Sequence, residues 1–344
     1  MEESEQKAPV GIIGSGSFGM AIANLLAENV DVLLYARREE VRQAIEKREG
    51  RYNVLSPRIQ AVSDLKFVAD SCQLIFPIVP SQAFRSMMKQ LSPYLSPTHF
   101  LIHGTKGLDI ATLEEGESLR PEHIKTMSQV IQEESIVCRI GCLSGPNLSK
   151  EIMEGQPAAT LIASPFTEVI KAGQAVLKSN RFQVYGDHDI IGAELAGALK
   201  NIIALAAGIL GGKGLGKNLW ALLVTRGLSE MIHIGKSVGA ETKPFLGVAG
   251  IGDLVATASS ENSRNYQAGY RLGKGETLEE IMKTSVDVIE GVKTLETIRA
   301  LGAHLKITTP IVEMLYRVFF KKMPIDTAIQ VLITYPYAVD VDFL

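Results

Sequence analysis

Residues 9–19 read "PVGIIGSGSFG". A short apolar run enters Gly14, Gly16 and Gly19, and "SFGMAIANLLAE" continues with helical spacing at Phe18, Ile22 and Leu25 or Leu26. A buried strand running through a glycine turn into a helix leaves few folds open. Gly14 permits the tight turn, Gly16 lets a pyrophosphate approach the main chain, and Gly19 lets helix and strand pack closely. The helix start then offers unpaired N–H groups to an anion. The stretch predicts a dinucleotide-binding βα unit.

The following residues extend that unit. "VDVLLYA", "QLIFPIV" and "THFLIHGT" read as strands alternating with helices, which predicts a parallel sheet covered on both faces. "AATLIAS" and "FQVYGD" are expected to extend the sheet. From about residue 189 strand signals fade and helical patterns follow at 189–210, 217–238, 276–283, 289–302 and 309–320. The expected class is α/β, a Rossmann-like doubly wound sheet over residues 1–188 followed by an α-helical substrate-binding and catalytic domain over 189–344. No Pro/Gly/Ser-rich linker marks the boundary, so the long helix is expected to start directly from the last strand.

Composition excludes other classes. With 35 Lys and Arg against 38 Asp and Glu, and 46% hydrophobic residues, the 344-residue chain is globular and lacks the basic excess of a nucleic-acid binder. Cys72, Cys138 and Cys142 are too few for a disulfide framework, and no Cys/His cluster accompanies them, so no metal site is expected. "MEESEQKAP" is not a signal peptide. The apolar run at 195–212 is broken by Lys200 and Asn201 and reads as a buried helix, not a transmembrane segment. A cytoplasmic location is expected.

Four features carry chemistry. The second strand ends in "YARR", where Asp or Glu would bind a ribose 2′-hydroxyl; Arg37 and Arg38 stand there instead, which favours NADP(H) over NAD(H). Solvated arginines opening the next helix are the plain alternative. Lys200 lies mid-helix among Ala196, Gly197, Ile203 and Ala204. Burying an unpaired ammonium is costly and lowers its pKa, which suits proton transfer; the alternative is a stem that snorkels out. Lys106 follows a strand end, the edge where ligands bind in open α/β sheets. "GDLVATASSENSRN" places Asp253 ahead of Ser263, Arg264 and Asn265, a triplet that reads as an anion grip or as ordinary cap and turn residues.

Together, "GIIGSGSFGMAIA", "GTKGL", "SGPN", "ELAGALKNIIALAAGI", "LVTRGLSEM", "GVAGIGDLVATASSENSRNYQAG" and "PIVEMLYRVFFKKMPIDTAIQVLI" resemble the bacterial-type NAD(P)-dependent glycerol-3-phosphate dehydrogenases over nearly the whole chain. The resemblance implies a helical domain like the C-terminal domain of 6-phosphogluconate dehydrogenase. It implies cofactor contacts at Ser17, Phe18, Arg37, Lys106, Ser149, Arg264, Val288 and Glu290, beside Gly14, Gly16 and Gly19. For substrate it implies Lys106, Gly145, Asn147, Asp253, Ser263, Arg264 and Asn265, with Lys200 as the catalytic lysine. The sequence departs from the family at Asn147-Leu148-Ser149, where Ser/Thr-Phe-Ala is usual, and at Lys217, where an acidic residue is usual.

The implied reaction is reduction of dihydroxyacetone phosphate to sn-glycerol 3-phosphate for phospholipid synthesis. Lys200 would act as general acid, Lys106 would stabilise developing charge, and Asp253 would orient Lys200, directly or through water. A homodimer is expected by analogy. Two other readings compete: a β-hydroxyacid or phosphosugar dehydrogenase of the same architecture, and a dinucleotide-sensing module without turnover. A buried proton donor speaks against the sensor.

Overall fold

The computed structural model describes residues 8–110, 120–285 and 288–336. The described residues form two compact units, one from residues 8–105 and 127–190, the other from 106–110, 120–126, 191–285 and 288–336. The division expected at 188/189 places 106–126 with the first domain; their packing places them with the second. Leu108 and Ile124 give the reason, because both side chains join the core of the helical unit.

The strands are β1 (Val10–Ile13), β2 (Val32–Tyr35), β3 (Ile59–Val62), β4 (Leu74–Pro77), β5 (Phe100–His103), β6 (Asp109–Ile110), β7 (Ile124–Lys125), β8 (Arg139–Ser144), β9 (Ala158–Ala163) and β10 (Phe182–Asp187). Eight of them make one sheet in the order β10-β9-β8-β5-β4-β1-β2-β3, while β6 and β7 form a separate ribbon within the second unit. The helices of the first unit are α1 (Ser17–Leu26), α2 (Glu39–Glu46), α3 (Leu65–Ser71), α4 (Ser81–Leu91), α5 (Met127–Glu134), α6 (Ser149–Met153) and α7 (Thr167–Leu177).

Successive strand residues face opposite ways, and both faces are apolar. Ile12, Leu34 and Phe76 enter one core, while Ile13, Leu33 and Ile75 enter the other. All neighbouring strands run parallel except β8 and β9, which pair antiparallel with Cys142 opposite Ala163. The purely parallel expectation therefore fails at that one pair. The connection between them holds only the five-residue α6. A helix that short rises roughly 7–8 Å, too little to carry the chain back along a strand of about 20 Å.

The second unit holds α8 (Ile190–Gly212), α9 (Lys217–Ser237), α10 (Lys243–Leu246), α11 (Asp253–Ser259), α12 (Arg264–Gly273), α13 (Leu278–Thr284), α14 (Glu290–Leu305), α15 (Pro310–Lys321) and α16 (Ile325–Ile333). Among the described residues one helix is long and apolar enough to cross a membrane, α8, and 94% of its apolar window is packed inside the protein. A helix apolar on every side is a core helix when other helices surround it. Glycines bring α12 against it: a Cβ on Gly269 would lie 1.9 Å from Leu205 O, and one on Gly208 would lie 2.0 Å from Tyr266 O. That close approach presses the first turn of α12 onto the middle of α8.

Candidate active site

The glycine loop is built as its spacing predicts. Gly14 has φ +127°, a conformation that side chains avoid, and a Cβ there would sit 2.1 Å from Ile78 O. A Cβ on Gly19 would lie 1.9 Å from Gly14 O, so helix and loop touch main chain to main chain. Gly16 differs from both. It is the exposed N-cap of α1, and a Cβ there would meet nothing within 4 Å. The open space lies where a phosphate would approach the helix start, so the loop fits a dinucleotide. Phe18 packs beside Gly104, whose Cβ would lie 3.0 Å from its ring, and Ser17 opens α1. Arg37 is exposed just beyond the end of β2 and makes no ion pair among the described residues. A 2′-phosphate would find it available.

In the helical unit the charged residues converge. Lys200 is 5% exposed and Asp253 1%. The Lys200 ammonium donates to Asp253 Oδ1 at 2.6 Å and to Thr257 Oγ1 at 2.6 Å. The Thr257 hydroxyl donates to the same carboxylate oxygen at 3.2 Å. Lys106 donates to the other oxygen, Asp253 Oδ2, at 2.6 Å. Asp253 thus meets Lys200 directly, the point the sequence left open, and it bridges both lysines. A π-helical turn over Val248–Gly252 delivers Asp253 to the start of α11, where a carboxylate suits the helix dipole.

Burial pulls the Lys200 ammonium down to about 8, with Asp253 working in the opposite direction. An ammonium has three donors. Two of those on Lys200 are engaged among the described residues, and one remains for a substrate oxygen.

The "SRN" triplet divides its duties. Ser263 is the N-cap of α12, its hydroxyl oxygen accepting from Tyr266 N at 3.2 Å. The cap reading is correct for its lone pair, and the hydroxyl hydrogen is still able to donate. Arg264 is exposed on the first turn and lines a cleft of about 200 Å³ with Asn262, Gln267 and Arg271. Asn265 is buried and hydrogen-bonded within the protein: it accepts from Gly291 N at 2.9 Å and donates to Asn201 Oδ1 at 2.9 Å.

Gly145, Asn147 and Ser149 lie in the first unit, in the turn from β8 into α6. Both ends of the Asn147 amide are engaged, Nδ2 donating to Ala159 O at 2.9 Å and Oδ1 accepting from Thr160 Oγ1 at 2.9 Å. Asn147 therefore anchors the loop to β9. Gly145, at φ +156°, approaches the same strand, where a Cβ would lie 3.0 Å from Ala159 O. Ser149 begins α6. Val288 and Glu290 lead into α14, and Glu290 is its first residue. Sequence reasoning missed Thr257 and Asn201. Their signal was weak but present: Thr257 follows Asp253 by one helical turn, and Asn201 adjoins Lys200.

A lysine buried against a carboxylate, in a chain that also carries a dinucleotide loop, fits the equipment of a nicotinamide-dependent oxidoreductase. Residues 9–169 and 189–330 match the N-terminal and C-terminal parts of the NAD-dependent glycerol-3-phosphate dehydrogenases. The glycerol-3-phosphate dehydrogenase [NAD(P)+] of Azotobacter vinelandii is 39% identical over 344 residues, covering 98% of each chain. That of Pseudomonas fluorescens is 38% identical, covering 98% of this chain and 94% of the other. The crystal structure of glycerol-3-phosphate dehydrogenase from Coxiella burnetii matches with a TM-score of 0.83 at 31% identity, over 95% of this chain and 99% of that one. The chain belongs to the NAD-dependent glycerol-3-phosphate dehydrogenase family and is an NAD(P)-dependent oxidoreductase acting on a CH–OH group.

Proposed function

We propose that the protein reduces dihydroxyacetone phosphate to sn-glycerol 3-phosphate, with Lys200 as general acid. The observation that carries this reading is Lys200 itself, buried, gripped by Asp253 and Thr257, with one N–H left over. When bound, the reduced nicotinamide supplies the hydride to the ketone carbon. Lys200 gives a proton to the carbonyl oxygen as negative charge develops there, and in the reverse direction takes it from the alcohol. Asp253 holds the lysine in place and charged until transfer. Lys106, held on the same carboxylate, adds a second positive charge toward the developing oxyanion.

The substrate phosphate is assigned to the start of α12. Arg264 offers two parallel N–H bonds and Ser263 a neutral donor. Asn265 supports the same turn from beneath, since its amide is already bonded to Gly291 and Asn201. For the cofactor, Gly14, Gly16, Ser17, Phe18 and Gly19 form the phosphate cradle and Arg37 reads a 2′-phosphate. Lys106, Ser149, Arg264, Val288 and Glu290 are assigned to the cofactor as well, from the family resemblance. The first unit serves chiefly the cofactor, and the helical unit, Lys106 included, serves chiefly the substrate. A cytoplasmic homodimer supplying phospholipid synthesis is carried over from the family resemblance.

The test follows reduced-nicotinamide absorbance with purified protein and dihydroxyacetone phosphate, comparing NADPH with NADH. Substrate-dependent oxidation, faster with NADPH, is the expected result. Cofactor binding without turnover would refute the reading and favour a hydroxyacid substrate or a sensor.

A further inference from the structure

Two cavities of the helical unit, both bordered by α16, share no residue with the candidate active site. The narrow one, of about 50 Å³, is lined only by alanine, valine, leucine, isoleucine and methionine side chains, among them Ile209 of α8, Leu223 of α9, Val318 of α15 and Ile329 of α16. The wide one, of about 280 Å³, is mixed: Ile307, Met314 and Val331 share its wall with Arg299, Thr309 and Glu313. Met314 lines both, and a methionine side chain is unbranched and adapts readily. Pro310 borders the wide cavity and Val318 the narrow one, so together they span ~12 Å along α15.

Cations outnumber the carboxylate around the wide cavity. Arg299 Nε donates to Glu313 Oε2 at 3.3 Å, and Arg317 Nε donates to Oε1 of the same carboxylate at 2.7 Å. The Arg299 guanidinium lies 4.8 Å from the centre of the Tyr316 ring, and the Lys321 ammonium 5.9 Å from it. Among the described residues Arg299 engages an acceptor only through Nε. Its two NH2 groups keep their donors, in a planar fork that matches a carboxylate. Glu313 beside it repels a dianion more than a monoanion, which favours a carboxylate over a phosphate.

The cover over the narrow cavity is lightly held. Of the nine residues of α16 only Ala328 is buried, so displacing the helix exposes little apolar surface. The geometry points to a binding site for a medium-chain fatty carboxylate beneath α16, its head on Arg299 in the wide cavity and its alkyl chain passing Met314 into the apolar one. A space of 50 Å³ is less than two waters occupy in the liquid, at ~30 Å³ each, so the chain enters as α16 moves outward. The site stands apart from the substrate reading, and its test uses no substrate.

That test titrates sodium decanoate into the purified full-length protein by calorimetry, with and without saturating NADPH. One decanoate per chain is expected to bind saturably, with the same affinity in both series. Arg299→Gln should weaken decanoate about tenfold, the loss of one charged hydrogen bond, and leave decanol, which carries no charge, at the parent affinity. Ala328→Leu fills the narrow cavity and should abolish binding of both. Should that variant fail to fold, Ile329→Phe carries the same expectation. Decanoate that does not saturate, that NADPH displaces, or that binds either variant as tightly as the parent would overturn the site. A decanol affinity that falls in Arg299→Gln would overturn the placement of the head.

Discussion

The proposed proton transfer rests on one side chain, Lys200. Its ammonium is buried and pulled down to about 8, so it holds its proton at neutral pH yet can release it. Reduction needs the protonated form, so its rate should hold steady below pH 8 and fall as pH rises through that value. Oxidation of the alcohol needs the neutral form and should rise over the same interval. Lys200→Ala should cut kcat by about a hundredfold to ten-thousandfold, the usual span for a general acid or base, with cofactor affinity nearly unchanged. Near-normal turnover in that variant, measured with saturating cofactor, would exclude the role. The burial of Lys200 was legible in the residues, because small alanine and glycine neighbours leave room for a lysine inside a helical core. What could not be read was the partner. Asp253 lies far along the chain from Lys200, and no periodicity links the two.

A few helices in this protein are held by polar side chains at their starts as well as by apolar faces. Glu230 in α9 shows this: its carboxylate accepts from Ile311 N and Val312 N, each at 2.9 Å, and so caps the start of α15. Burial pushes the Glu230 carboxyl up to about 7, against the pull of the two main-chain N–H groups. A folded pKa raised above the unfolded one means that the contribution is fully present below about 4.5 and is lost as pH rises through about 7. Glu230→Gln should therefore gain on the parent in thermal stability as pH climbs from 5 to 8. Glu230→Ala should lose stability throughout, at about 1–3 kcal/mol for each buried N–H left without an acceptor. Melting curves of the three proteins across that range decide it, and a parent-to-Gln difference that ignores pH would sink the assignment. The long helices α8, α9, α14 and α15 were plain in the sequence, since apolar residues recur at helical spacing over many turns. α11 was not, because it spans only seven residues, and α12 was not, because its asparagine and two glycines carry turn chemistry while its register comes from the glycines that meet α8.

For the molecule as a whole, the glycine loop joins folding to ligand binding. Saturating NADPH at a hundred times its Kd should stabilise the folded protein by about 2.7 kcal/mol. The three glycines should separate in that measurement. Gly16→Ala meets open space, so the free protein should melt as the parent does while the stabilisation by NADPH shrinks. Gly19→Ala drives a methyl toward Gly14 O and should lower the melting temperature of the free protein. Equal losses in both variants would mean that Gly16 serves the fold and not the ligand.

The residues alone were enough for the loop, the parallel α/β unit, the helical second half and the burial of Lys200, because each is encoded in local spacing, side-chain size or the cost of burying a charge. Three things required the packed chain: the reversed pairing of β8 with β9, the transfer of 106–126 to the helical unit, and the convergence of Lys106, Lys200, Asp253 and Thr257. All three depend on contacts between segments remote in sequence, where shape and close packing decide which polar groups meet, and no local pattern records that outcome.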